Sequence, residues 1–384
     1  MKNMKKLIAM MLMMASVLFF ACDKDDDNNK LSPDEAKEEI TQLTTDMSTY
    51  ITQMEEAEGM VAFEKLLGLT EIDDPFTSGK SSSDISRFNK IKKYLTPDSY
   101  VESTEKSALE DDRFDFELWV GTYEWDAAHQ MWVPDFGTPA DKIIIKFPTE
   151  GSNTNNAKLT IHNYVDTEII EEDGIYTYYY YQPTEVKADL YVNEIKLVDI
   201  NLMAEWDTYG DPKSIDASVY MIPFEFTVDF GMTTTAADVN VAIYYEDAKI
   251  FSAGAGATFQ NSLEDELPIN INGYLQVLKV KFEIDVNVKA IEEMFMGDAT
   301  TMTDPEDFIA AINEEIDAVV LVDGVKAADI ELAMSTTANS DMPFDIVFVY
   351  SDGSTESAIP YFEALGNDLG DFFYGLEEYY DSWK

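Results

Sequence analysis

Along much of the chain apolar and polar residues alternate. Phe224-Glu225-Phe226-Thr227-Val228-Asp229-Phe230 does so without a break, and so does the run from Val280 to Val288. Successive side chains of a strand point to opposite faces, so this period of two predicts half-buried strands with one wet face. Val198, Ile200, Leu202, Ala204 and Trp206 mark a third such strand. Gly121 to Trp125 and Met131 to Val133 predict an aromatic hairpin across residues 126–130.

Before about Phe114 the period is that of a helix. Ser32-Pro33-Asp34-Glu35 reads as a helix start, with Ser32 as cap, Pro33 in the first turn and Glu35 closing a capping box. The helix is expected to run to about Glu58, with Ile40, Leu43, Met47, Ile51 and Met54 on one stripe. A second helical piece is expected from Met60 to Leu67, ending at Gly68. A loop follows at 78–83, then a third helix at 85–95, stopped before Pro97.

Three segments repeat a short pattern: Leu190 to Lys196, Ile243 to Lys249 and Val320 to Lys326. Each is an apolar strand, a two-residue turn, one residue, a lysine and a further strand. Asp323-Gly324 is a strong hairpin turn; Asn193-Glu194 and Glu246-Asp247 are weaker ones. The spacings of 53 and 77 residues are unequal, which suits recurring hairpins of a sheet better than a solenoid. Toward the C-terminus the pattern predicts a helix from Thr303 to about Ile316, a strand over Asp345–Tyr350, a turn at Asp352-Gly353 and helical pieces over 360–380. Phe372, Phe373, Tyr379, Tyr380 and Trp383 are expected to dock that end on the sheet. The expected class is α+β, mainly antiparallel β: a large sheet or a sandwich of hairpins, with an N-terminal helical segment and C-terminal helices.

The first 21 residues stand apart. Lys2, Lys5 and Lys6 precede an apolar run from Leu7 to Ala21, too short for a comfortable span of about 20 apolar residues. The chain's single cysteine, Cys22, follows at once. Leu18-Phe19-Phe20-Ala21-Cys22 resembles a lipobox, the signal cut before a cysteine that then receives acyl chains; Phe19 departs from the usual aliphatic residue. Lys24, Asp25, Asp26 and Asp27 behind it resemble the surface-export tether of Bacteroidota lipoproteins. In proteobacterial sorting an Asp at position 23 signals inner-membrane retention instead, so the leaflet stays open. The acidic tether and the hairpin-lysine pattern together resemble cell-envelope lipoproteins of Bacteroidota, a group that brings no active site with it. The expected organisation is signal peptide 1–21, lipidated tether 22–31, helical segment 32–100 and β-rich domain with C-terminal helices 101–384.

Charge narrows the partners. The chain has 75 acidic and 26 basic residues, and removing the leader takes away three lysines and no acid. Only Arg87 and Arg113 are arginines. Phosphate backbones need clusters of Lys and Arg, so no nucleic-acid partner is expected. The membrane is expected to be reached through the lipid on Cys22, and a glycan, an apolar ligand or an envelope protein remain as partners. With Cys22 acylated, no disulfide forms.

Catalytic chemistry is scarce. His129 and His162 are the two histidines, too few for a zinc cluster, and no Gly-x-Ser-x-Gly elbow occurs. Gly254-Ala255-Gly256 lacks the third glycine of a dinucleotide loop. Asp23, Asp25 and Asp27 have calcium-loop spacing, but Asn28 stands where Gly is needed and Asp34 where Glu is needed. No cofactor is expected. Paired carboxylates suffice for glycoside hydrolysis, and Trp119, Trp125, Trp132 or the tyrosines at 176 and 178–181 suit stacking on sugars, although cross-strand pairing is the plainer role for the tyrosines. Three readings follow: a non-enzymatic binding or structural envelope lipoprotein, a carrier of lipid or another apolar ligand on a curved sheet, and a carboxylate-dependent glycoside hydrolase or glycan-binding protein.

Overall fold

The structure is a computed structural model, and it describes residues 31–73, 114–173, 176–263, 267–296, 305–335 and 344–362. These form two compact units, one of residues 53–231 and one of residues up to 52 together with those from 232 onward. The protein is mainly antiparallel β with helices toward both ends. The cysteine and tether residues Cys22, Lys24, Asp25, Asp26 and Asp27, the helix at 85–95 and the aromatic C-terminal residues lie outside the described residues.

In the first unit, helices α2 (Glu58–Ile72) and α3 (Phe116–Trp119) accompany β1 (Gly121–Asp126), β2 (Met131–Phe136), β3 (Ile143–Phe147), β4 (Ala157–Asp173), β5 (Tyr176–Val192), β6 (Ile195–Trp206), β7 (Pro212–Met221) and β8 (Phe224–Met232). The strands lie in the order β8-β7-β6-β5-β4-β3-β1-β2. All neighbours are antiparallel except β1 and β3, which are parallel. Leu190, Val198 and Met221 face each other across the register and are buried together. Helix α2 lies on this face: a Cβ on Gly59 would stand 2.7 Å from Met221 Cγ and 2.9 Å from Val198 Cγ2.

In the second unit, α1 (Pro33–Glu55) accompanies β9 (Ala236–Tyr245), β10 (Ala248–Thr258), β11 (Asn270–Val277), β12 (Val280–Val286), α4 (Val288–Met296), α5 (Pro305–Asn313), β13 (Ile316–Val322), β14 (Val325–Met334), β15 (Phe344–Tyr350) and β16 (Thr355–Ser357). These strands lie in sequence order. The apolar row Ile243, Phe251, Val277, Val280 and Val322 is buried on one face, and Phe282, Val320, Ala328 and Tyr350 form the next row. Phe362 closes over Phe282 and Phe348, with ring centroids 5.5 and 5.7 Å away. On the opposite face the register sets Asp238, Gly256, Asn272, Asp285 and Asp317 in one row. Each unit is thus one sheet of eight strands, the large-sheet form of the expected fold rather than a sandwich.

Several boundaries differ from expectation. Helix α1 ends at Glu55 and α2 runs through Gly68 to Ile72, because nothing crowds Gly68 and no turn is required there. The alternation after Val280 stops at Val286: Asn287 caps α4, its side chain accepting from Ala290 N–H at 3.2 Å, so Val288 opens a helix. Helix α5 ends at Asn313 and Ile316 belongs to β13. The Asn313 amide then bridges Leu332, donating to its O at 2.9 Å and accepting from its N–H at 3.0 Å, as a strand residue would. The capping box forms as expected, with Ser32 Oγ donating to Glu35 Oε2 at 2.6 Å.

Candidate functional site

Of the aromatic residues expected to meet sugars, the three tryptophans are core, and the side chains of the tyrosines at 176, 178 and 179 lie outside those described. Trp119, Trp125 and Trp132 are 2, 7 and 0 % exposed, and Trp125 stands edge-on to Trp132 at 5.2 Å. Asp73 at the end of α2 fixes Trp132, accepting from its backbone N–H and, through its carbonyl, from Nε1, each at 2.7 Å. Tyr180 and Tyr181 pair across the sheet with Ile169 and Glu168, and Tyr181 donates to Glu168 Oε2 at 2.7 Å. The histidines each meet one carboxylate. His129 Nδ1 lies 2.7 Å from Asp126 Oδ2 in the β1–β2 turn, a hydrogen bond that raises the imidazole pKa. His162, the extra residue of a β-bulge in β4, has Nε2 2.6 Å from Asp189 Oδ2. No group of three or more metal-ligating side chains occurs among the described residues. No described helix is long and apolar enough to cross a membrane.

The hairpin-lysine repeat proves to be a structural unit. Asn193, Glu246 and Asp323, the first residues of the three turns, all have left-handed backbones, with φ of 50, 54 and 51°. Three residues further on comes the lysine: Lys196, Lys249 or Lys326. Next comes a bulge at Leu197, Ile250 or Ala327, where the register slips by one. Two residues then oppose one, so consecutive side chains turn inward: Leu197 with Val198, Ile250 with Phe251, Ala327 with Ala328, all buried. The bulged carbonyls of Leu197 and Ile250 accept from Ile222 N–H at 3.0 Å and Leu278 N–H at 2.9 Å, tying each hairpin to the next turn. The longer spacing before the third copy holds α4 and α5, inserted between β12 and β13.

A fourth turn of this kind, Leu278-Lys279 between β11 and β12, carries Lys281 two residues later. The turns β9–β10, β11–β12 and β13–β14 and one side chain of α1 together surround an open cavity of about 640 Å³. Its polar wall is Lys249, Gln276, Lys279, Lys281 and Asp323, and the ring of Tyr50 from α1 closes one side. Tyr50 is braced edge-on by Tyr245 at 5.3 Å. Leu278 contributes to the lining from a left-handed backbone, φ 53°, which a bulky residue rarely adopts.

The three ammonium groups are compensated unequally. Lys279 pairs with Glu39 of α1. Lys281 pairs with Glu283 and lies over the Tyr274 ring, 4.8 Å from its centroid. Among the described residues Lys249 has only the face of Tyr244, 5.7 Å away. The sequence explains the difference. Lys196 and Lys326 meet Asp199 and Asp329 three residues on, whereas the residue three beyond Lys249 is Ser252.

Sequence reasoning singled out Lys249 as part of a pattern and missed Tyr50, Leu278, Lys279 and Lys281. The signal for the last two was the fourth copy of turn, spacer and lysine, obscured because leucine is not a turn former. No family model, no curated protein and no solved structure matches the chain.

Proposed function

We propose that the chain is a non-enzymatic, lipid-anchored lipoprotein of the cell envelope, held by Cys22 in the outer membrane with its β-rich body facing outward, and that it works as a binding module. The observation that carries this reading is the sequence from Leu7 to Asp27: a short apolar leader, one cysteine for the whole chain, and a lysine-and-acid tether directly after it. The start of the body supports it. Leu31 N–H donates to Lys326 O at 3.2 Å and Leu31 O accepts from Ser351 Oγ at 3.1 Å, so the chain is fixed to the sheet nine residues after Cys22. Nine residues reach at most about 32 Å, which keeps the body close to the bilayer without entering it. The carrier reading has less support, since the apolar face of each sheet is packed against the protein's own helix or Phe362.

The test is Cys22→Ala in the full chain. Expected are loss of acyl labelling, retention of the leader and loss of the protein from the outer-membrane fraction, the uncleaved apolar leader holding it at the inner membrane, while wild-type protein on intact cells is stripped by added protease. Unchanged processing and unchanged outer-membrane association of Cys22→Ala would overturn the anchor, and full protease protection behind an intact outer membrane would overturn the outward placement.

A further inference from the structure

The geometry points to the cavity between the β9–β10, β11–β12 and β13–β14 turns as a binding site for an acidic sugar carrying a single negative charge. This deepens the reading of the chain as a binding module and rests on that reading, but not on the anchor.

Four observations carry it. The first is charge. Acids outnumber bases almost three to one in this chain, yet three lysines and one aspartate line this cavity. Two of the lysines are answered by Glu39 and Glu283. Among the described residues no carboxylate lies within ion-pairing distance of Lys249, because Ser252 occupies the place that Asp199 and Asp329 hold in the other copies. With Asp323 on the wall the set is neutral overall, and Lys249 is the ammonium that an anionic group would meet.

The second observation is size. About 640 Å³ lies within the range of roughly 300–1,000 Å³ common for organic ligands and is far more than a bare inorganic anion fills. The third is the remainder of the wall. Asp323 and the Gln276 carbonyl oxygen offer acceptors to hydroxyl groups, the Gln276 amide being already committed to Leu278 O at 3.0 Å. Tyr50, Leu278 and Leu321 offer flat or apolar surface to a ring. Anion, hydroxyls and an apolar ring face together describe an acidic saccharide. The fourth is position: the turn, with Leu278 at φ 53° and its N–H held by Ile250 O at 2.9 Å, fixes Leu278 on the wall of this cavity.

The tether leaves from the same edge of the sheet, since Leu31 is bonded to Lys326, next to the Asp323-Gly324 turn. The acidic sugar can therefore come from solution or from the head group of a membrane glycolipid.

The experiment is calorimetric titration of full-length mature protein in detergent with glucuronate, a glucuronate-containing disaccharide, glucose and inorganic phosphate. Both acidic sugars are expected to bind at sub-millimolar concentration, with glucose and phosphate at least ten-fold weaker. Lys249→Gln is expected to weaken the acidic sugars ten-fold or more, Tyr50→Ala about as much, and Tyr50→Phe little. Lys196→Gln, at the matching place in the other unit, is expected to leave affinity unchanged, and circular dichroism confirms that each variant is folded. Glucose binding as well as glucuronate, phosphate binding as well as either, an unaltered affinity in Lys249→Gln, or folded wild-type protein taking up none of the probes would each overturn the assignment. Vesicles with and without a glucuronosyl glycolipid then separate the sources: capture reversed by free disaccharide assigns the head group, and capture absent while the free sugar binds assigns the soluble ligand. A negative result here leaves the Cys22 fractionation unaffected, so the two readings fail separately.

Discussion

Asn193 and Glu194 both sit at positive φ, 50 and 66°, in the β5–β6 turn, and only the first is a residue that tolerates it well. Glutamate in the left-handed region costs about 1–2 kcal/mol per residue, whereas glycine there costs nothing sterically and loses about 0.5–1 kcal/mol through the freedom of the unfolded chain. Glu194→Gly, which completes an Asn-Gly pair, should therefore stabilise the unit by about 0.5–1 kcal/mol, read as a Tm higher by roughly 1–3 °C. A lower Tm would mean that Glu194 makes a contact worth more than its strain. Gly121 is the opposite case. Its φ is 145°, and a Cβ there would lie 2.5 Å from the Asp135 carbonyl oxygen. Backbone cannot withdraw as a side-chain tip can, and Gly121 N–H is also bonded to Lys142 O at 2.9 Å. Gly121→Ala should cost about 2–4 kcal/mol in denaturant unfolding; an unshifted midpoint would show that the β1–β2 junction adapts.

Helix α1 is latched to the last hairpin by a cluster of side chains. Lys37 Nζ lies 2.6 Å from Glu356 Oε2 and 5.0 Å from the centre of the Tyr350 ring, and Tyr361 donates to Glu356 Oε1 at 2.8 Å. Lys37 first, then Tyr361, hold the Glu356 carboxyl below the usual range, while burial and then Glu356 push the Tyr361 phenol up to about 12. A depressed acid stabilises the fold above its unfolded pKa, near 4.5, and that stability is lost as pH falls through the lower folded value. The Tm advantage of wild type over Glu356→Gln should thus be full at about pH 6 and shrink progressively as the pH falls below the unfolded value near 4.5. A constant difference would mean that the pair acts by packing rather than charge. At this scale the sequence was legible wherever local chemistry decides. The Ser32 cap, the Asp323-Gly324 turn and the strands β8 and β12 follow from it. It was opaque wherever distant parts decide. Leu278 turns only because Ile250 O accepts its N–H, α4 hides behind an alternating start, and the cavity needs Tyr50, some two hundred residues from Lys249 in the chain. The lysine of the repeat was visible, but the missing aspartate beside Lys249 acquires meaning only once the three turns stand together.

Across the whole molecule, 75 acids against 26 bases produce a field that favours solubility and opposes compactness. The exposed ion pairs offset little of it: Lys146–Glu124 and Lys196–Asp199 are each worth well under about 1 kcal/mol at the surface. The reach of this field depends on salt, about 30 Å at 0.01 M and about 8 Å at physiological strength. At the lower strength the repulsion extends as far as the proposed tether would reach, so a body anchored through Cys22 and an anionic leaflet would push one another apart. At the higher strength a leash of up to about 32 Å, as proposed for residues 22–31, would leave the two screened from each other. The same screening acts inside the body, where acids lie closer together than in the unfolded chain. The mature protein should therefore melt at a higher temperature in 0.1 M than in 0.01 M sodium chloride. The gain should be kept in Glu356→Gln, which removes one acid and one ion pair together. A Tm that falls as salt is added would show that the lysine-carboxylate pairs, few as they are, contribute more to this sheet than its surplus of acids takes away.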